Sequence, residues 1–172
     1  MQLTGKEIVQ EGIITNYDEK NSIQQQGLDV RLMKVNKFIG TGYIPAQGKT
    51  QLPQYEEIIP EHHTDTGGEE HNIWYLPQGY YEVQMIEGCK TPINRVFDLK
   101  SRSSLVRCGA QIVCGQFDGG FETEHMGCFL RVDNSEGIFI EWGARVAQVR
   151  IHQSSDVDNP YNGQFQNDKQ RS

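Results

Sequence analysis

The sequence predicts an all-β domain, a barrel or jelly roll, with one short N-terminal helix. Its apolar runs are short, and Gly, Asn, Asp and Pro break them at close intervals. Asn134-Ser-Glu-Gly137 is a hairpin turn by composition, because Asn and Gly tolerate the dihedrals that tight turns demand. Thr4-Gly-Lys-Glu7 has the spacing of a capping box, in which the Thr hydroxyl and the Glu carboxylate each satisfy an orphan amide.

Taken in order, the helix opens at Thr4, continues through Ile8 and Val9, and meets a stop at Gly12. Strands are expected at Leu28–Val35, Tyr80–Ile86, Arg95–Leu99, Gln111–Val113, Cys128–Val132, Ile138–Ile140 and Val146–His152. Gly79 and Gly88 punctuate them. Many short strands at regular spacing are the signature of a barrel or jelly roll. The stretch Glu61–Glu70 is polar and Gly-rich and reads as an exposed loop. The tail, 154–172, is polar and without periodicity. No repeat or second boundary appears, so 1–172 is expected to be a single domain.

The net charge is −7. It argues against a protein that coats nucleic acid, while leaving room for a small anionic ligand at a local cationic cluster. No apolar run is long enough to span a membrane, and the N-terminus lacks the apolar core of a signal peptide. A cytoplasmic location is the default expectation. Cys89, Cys108, Cys114 and Cys128 have no C-x-x-C spacing, and buried free thiols are expected. His62, His63 and His71 lie among carboxylates, but their spacing fits no hairpin or helical ligand set, so a solvated loop is expected there.

Three stretches carry chemistry. In Lys100-Ser-Arg-Ser-Ser-Leu-Val-Arg107, Arg102 offers a fork of donors matched to phosphate, and Ser103 and Ser104 add hydroxyls and amides. On its own the stretch reads equally as an ordinary polar loop. In Gln116-Phe-Asp-Gly-Gly-Phe121, Asp118 either holds a water as a general base or merely opens an Asx-turn, and the two glycines permit close approach to the backbone. In Gln25-Gln-Gly-Leu-Asp-Val-Arg31, alternation puts Asp29 and Arg31 on one strand face. They form either a surface ion pair or one wall of a phosphate site.

In order along the chain, these stretches resemble the conserved boxes of the dUTPase/dCTP deaminase superfamily. Ile23-Gln-Gln-Gln-Gly-Leu-Asp-Val-Arg31 resembles the first box, and Ser101-Arg-Ser-Ser-Leu-Val-Arg-Cys-Gly-Ala110 the phosphate box. Gln116–Phe121 is similar to the Asp-Pro-Gly-Tyr box, Ala144-Arg-Val-Ala-Gln148 to the last core strand, and Tyr161-Asn-Gly-Gln-Phe165 to the closing motif. Gln51–Ile58 and Trp74–Gly79 look like segments of the archaeal-type dUTPase branch.

The resemblance implies a distorted jelly-roll, dUTPase-like (β-clip) fold. It implies a homotrimer with active sites between subunits, and Mg2+-assisted hydrolysis of dUTP to dUMP and pyrophosphate. Asp118 would activate the water that attacks the α-phosphorus. Arg102, Ser103, Ser104 and Gln148 would hold the triphosphate, with Asp29 and Arg31 beside it. Phe121 would pack under the deoxyribose. Tyr161 and Phe165 of the tail would close over the nucleotide of a neighbouring subunit. Mg2+ would be bound through substrate phosphates and water, with no direct protein ligand.

Three departures stand out. Gly119 replaces the family's Pro, and Phe121 replaces its Tyr. Glu122-Thr-Glu-His125 enlarges the hairpin whose backbone would read the uracil. A deaminase of this superfamily needs a Glu three residues before the Asn that ends the hairpin strand. Here that position is Arg131, which cannot shuttle protons. dUTP diphosphatase is therefore the expected activity. dCTP deamination and a non-catalytic nucleotide-binding trimer are the alternatives.

Overall fold

The computed structural model describes residues 1–155 and 158–168. Helix α1 (Gly5–Gln10) opens with the expected capping box. Thr4 donates its amide to Glu7 Oε2 at 2.7 Å, and its hydroxyl accepts from the Glu7 amide at 3.3 Å. Gly12 stops the helix with φ of 64°, a left-handed angle that glycine takes without strain.

The strands are β1 (Ile14–Thr15), β2 (Ile23–Gln24), β3 (Gly27–Ile39), β4 (Gln54–Glu57), β5 (Glu61–Thr64), β6 (Glu70–Leu76), β7 (Gly79–Met85), β8 (Gly88–Lys90) and β9 (Arg95–Ser101). Helix α2 (Ser103–Arg107) precedes β10 (Ala110–Val113), β11 (Glu122–Thr123), β12 (Gly127–Val132), β13 (Ile138–Glu141) and β14 (Arg145–Gln153). All seven expected strands are present.

The stretch read as a loop, Glu61–Glu70, is instead the hairpin of β5 and β6. His63 pairs with His71, and Asp65 caps the turn by accepting from the amides of Gly67 and Glu69. Every residue of β5 is exposed, so no apolar alternation marks it in the sequence.

The main sheet runs β10-β12-β7-β3-β14-β9, with β2 and β4 also paired to β3. It curls until its two edges, β9 and β10, nearly meet. Side chains stitch that seam: Ser101 Oγ donates to the Ile112 carbonyl (3.2 Å) and accepts from its amide (2.9 Å), and the Leu99 amide donates to Cys114 Sγ (3.3 Å). Two small sheets, β1-β8-β11 and β13-β6-β5, complete the molecule. Inside, Leu28, Val30 and Leu32 of β3 pack with Phe97 and Leu99 of β9, Leu130 and Val132 of β12, and Val149 and Ile151 of β14. None of the four cysteines is in a disulfide; Cys89 and Cys128 are buried, while Cys108 is exposed, contrary to the expectation of buried thiols. Among the described residues no helix is long and apolar enough to cross a membrane.

Candidate functional site

Beyond β10 the chain runs along the end of β9. Phe97 and Phe117 form a two-way backbone bridge, and their rings stack at 4.5 Å with 2° between planes. This fixes Asp118 one residue later. The Asp118 carbonyl accepts from the Phe121 amide at 3.0 Å, so the residue does open a turn. Its carboxylate makes no Asx bond; Oδ1 accepts from Gln116 Nε2 at 2.8 Å, and Oδ2 has no partner among the described residues. The side chain is thus held from one side and open on the other.

Asp118 lines a cavity of about 400 Å³, a size suited to a small-molecule ligand. Phe121, Tyr161 and Phe165 line it too, as do Gln116 and Glu82. Glu82 is buried and accepts from Asn36 Nδ2.

The glycine pair has a use the sequence did not disclose. A Cβ on Gly120, whose φ is 88°, would meet Pro160 Cβ at 2.7 Å. What approaches this backbone is the chain's own tail. The Tyr161 amide donates to the Gly119 carbonyl (2.9 Å), Gln166 Nε2 donates to the Gly120 carbonyl (2.9 Å), and the Tyr161 ring meets Phe121 edge-on at 5.2 Å. Pro160, Tyr161 and Gln166 of the tail therefore cover the site loop of the same chain. The rest of the expected tail, 156–157 and 169–172, lies outside the described residues.

The cationic set forms a second cluster. Asp29 is almost completely buried and sits directly across from Gln148 in the β3–β14 ladder. It accepts from Gln148 Nε2 at 3.3 Å and pairs with Arg102 Nε at 3.3 Å and Arg145 Nη1 at 3.5 Å. Burial pushes the Asp29 carboxyl above its usual value, against the pull of Arg102, Gln148 and Arg145. One carboxylate thus aligns two guanidinium groups, which leaves the cluster with a net positive charge. Ser103 and Ser104 follow Arg102 at the exposed start of α2. None of Arg102, Ser103, Ser104, Gln148 and Asp29 lines the Asp118 cavity.

Arg31 goes elsewhere. Its Nε donates to Glu87 Oε1 and its Nη2 to the Asn16 carbonyl, both at 2.7 Å. Glu87 is fully buried, and burial raises its carboxyl against the stabilising bonds from Arg31. Arg31 therefore braces the β1–β3 corner, and no contact with Asp29 joins it to the cationic cluster.

Sequence reasoning assigned no role to Arg145. Strict alternation would send Arg145 and Gln148 to opposite faces of β14. A bulge between Arg145 and Ala147 resets the alternation and brings both to Asp29. Gln116 was likewise unassigned, because a Gln two residues before an Asp carries no signal without the turn that folds it back.

The dCTP deaminase-like family model matches residues 3–154. A probable deoxyuridine 5'-triphosphate nucleotidohydrolase from Archaeoglobus fulgidus is 29% identical over 163 residues, covering 93% of this chain and 90% of that protein. The deoxyuridine 5'-triphosphate nucleotidohydrolase of Methanocaldococcus jannaschii is 33% identical over 148 residues, 84% of this chain and 87% of its own. A crystal structure of 2'-deoxycytidine 5'-triphosphate deaminase from Agrobacterium tumefaciens superposes with a TM-score of 0.62 at 14% identity. It covers 90% of this chain, which spans about half (49%) of that deaminase's length, and it bears on the fold alone. The matched stretch takes in the Asp118 loop, α2 and the Asp29 cluster, and on that breadth the chain belongs to the dCTP deaminase-like family.

Proposed function

We propose that this protein is a dUTP diphosphatase, with water attacking the α-phosphorus to give dUMP and pyrophosphate. The observation that carries the reading is the Asp118 carboxylate, anchored on one oxygen and open on the other, in a cavity of nucleoside size. The relatives named as deoxyuridine triphosphate nucleotidohydrolases, aligned over most of their length, point to the same substrate. In this reading Asp118 orients the water and takes its proton, a contribution of about 10²–10⁴ in rate. Phe121 packs against the sugar, and Tyr161 and Phe165 close the cavity.

The triphosphate is held by Arg102, Ser103, Ser104 and Gln148, with Arg145 beside them. These residues do not share Asp118's cavity in one chain, so the reading requires a second copy to supply them. A homotrimer with sites between subunits meets that need. Arg31, committed to Glu87, supports the strand rather than the substrate.

Mg2+ fits as a companion of the substrate. It would be held by the triphosphate oxygens and water, with no protein atom bound to the ion itself. Among the described residues no group of three or more His, Cys, Asp or Glu side chains forms a metal cage. When bound, the ion would neutralise phosphate charge. The reaction is assigned to the cytoplasm.

One observation favours a second reading, dCTP deamination. Glu82 puts a second carboxylate in the cavity wall. Against it, Arg131 holds the expected Glu position; it lies outside the cavity and pairs with Asp133 at 2.7 Å. Incubation with dUTP, dCTP and UTP, with and without Mg2+, separates the two. Pyrophosphate from dUTP supports the first, and ammonia from dCTP the second. Asp118→Asn should lose turnover by about 10²–10⁴ while still binding nucleotide. Unchanged turnover would remove Asp118 from the chemistry.

A further inference from the structure

Two thiols in the cavity wall have no part in the chemistry above. Cys114 and Cys128 both line the cavity, and neither is in a disulfide. The β10–β12 ladder pairs Ile112 with Leu130 and Val113 with Phe129. One step further, the same register sets Cys114 opposite Cys128. Directly opposed residues in an antiparallel ladder have Cα atoms about 4.5–5.5 Å apart. A disulfide bridges Cα separations of about 4.4–6.8 Å.

The two sulfurs differ in character. Cys114 is half-buried at the cavity wall, and Cys128 is buried behind it. A hydrogen bond from Cys128, joined by one from the Leu99 amide, lowers the Cys114 thiol to about 7, against the opposing effect of burial. The shift favours the thiolate, the nucleophilic form. Cys114 also helps to hold the fold, because its sulfur accepts from the Leu99 amide across the β9–β10 seam. Arg102 and α2 begin three residues beyond Leu99.

We propose that Cys114 and Cys128 form a redox-active dithiol that closes to an intramolecular disulfide and loosens the barrel seam beside the phosphate loop. The Cys114 thiolate attacks one sulfur of a low-molecular-weight disulfide, forming a mixed disulfide and releasing one thiolate. Cys128 then loses its proton and attacks Cys114 Sγ, expelling the second thiolate. Two protein thiols are oxidised, and one small disulfide is reduced to two thiols. Closing the bond converts the Cys114 sulfur from a thiolate, a strong acceptor, to a neutral disulfide sulfur, a weak one, and so weakens its bond from the Leu99 amide. In a reducing compartment the dithiol is the resting form and the link is transient.

The test uses the full chain with Cys108→Ser, which removes the exposed thiol, and oxidised glutathione as the probe. Peptide mass mapping should find Cys114 joined to Cys128 with loss of two hydrogens. With Cys128→Ser added, one glutathione should remain on Cys114; with Cys114→Ser, neither position should react. Phenylarsine oxide should bind one per chain, bridging both sulfurs with release of water, and neither single variant should take it up. Leu99 amide exchange should be about fivefold faster in the oxidised chain, the factor for losing one ordinary hydrogen bond.

On the dUTPase reading, turnover should also fall, and dithiothreitol should restore it. Only this last readout depends on that reading; the linkage and exchange measurements stand without it. Glutathione persisting on Cys114 beside an intact Cys128 would overturn the proposal. So would a disulfide that leaves Leu99 exchange unchanged.

Discussion

Asp29→Asn separates orientation of the cationic cluster from support of the fold. At an effective dielectric constant of ~20, a unit charge at 3.3–3.5 Å attracts its partner by about 5 kcal/mol, before discounting. Arg102 and Arg145 are about one-third exposed (32% and 35%), so solvent reduces both attractions to a fraction of that figure. Against them stands the transfer of a carboxylate that is 2% exposed, an opposing cost of roughly several kcal/mol. The sign of the balance is given by Asp29 itself: its carboxyl is raised from the usual 3.8, so burial wins.

The folded chain therefore holds this proton to higher pH than the unfolded chain does. The associated stability is present below the usual Asp value and is lost as pH rises through the raised one. A neutral isostere at this position escapes that loss. Asp29→Asn should melt at or above the wild-type temperature at pH 7, and its stability should vary less with pH above 3.8.

Turnover should move the other way. Without the carboxylate the two guanidinium groups lose their common anchor. Charge-assisted bonds are worth about 1.5–3 kcal/mol, which converts to about 10–100-fold in kcat/KM for dUTP. Calorimetry across pH 4–8 and a pyrophosphate-release assay measure the two effects. A melting point lowered by more than about 5 °C at pH 7, with kcat/KM unchanged, would refute the reasoning and make Asp29 a structural ion-pair residue.

Gly27→Ala should destabilise the chain by about 2 kcal/mol or more, read as a lowered melting temperature, because its Cβ would lie 2.3 Å from the Val149 carbonyl oxygen and 2.9 Å from Gln148 Cγ. His71, bonded to Glu141 at 2.7 Å with Asp65 behind it, should titrate above 6.5 by NMR, and Glu141→Gln should bring that value down. The His71 contribution is present below 6.5 and is lost as pH rises through the raised value. Removal of residues 159–172 strips Tyr161 from Phe121 and Gln166 from Gly120, so turnover should fall while the melting temperature changes little. Full activity in the truncated chain would retire the role of the tail.

The strands were legible where one face is buried. In β12, Cys128, Leu130 and Val132 are buried and alternate with more exposed neighbours, a pattern readable from residues alone. β5 buries nothing and leaves no such trace. Strands β1, β2 and β11 have two residues each, too few for a period. At Asp118 the residues alone foretold the turn, and the role of its carboxylate came only from the resemblance of Gln116–Phe121 to a family box. The company of Asp29 was not legible: Gln148 faces it through the register of two distant strands, and Arg145 joins through a bulge that alternation cannot foresee. Arg31 found its partner in Glu87, distant in sequence and fully buried, and no local pattern marks a pairing of that kind. The thiol pair depends on ladder register, which spacing within one strand does not contain.

The separation of the two clusters within one chain leads to a prediction about subunits. A water activated at Asp118 must attack a phosphorus about 3–3.5 Å away. Yet Arg102 is tethered to Asp29 on the β3–β14 face, outside the cavity that holds Asp118. If each site takes its carboxylate from one chain and its cationic set from a neighbour, two dead variants should rescue each other. Asp118→Asn and Arg102→Ala are each expected to be inactive alone. In a cyclic oligomer mixed at equal ratio through unfolding and refolding, a site is whole when the Arg102 donor and the Asp118 donor are both intact. Each condition holds for half the chains, so about one quarter of wild-type turnover should return. Refolding each variant alone supplies the baseline. A mixture no more active than that baseline would mean that both clusters serve one chain's own site, and the shared-site reading would fall while Asp118 kept its place in the chemistry.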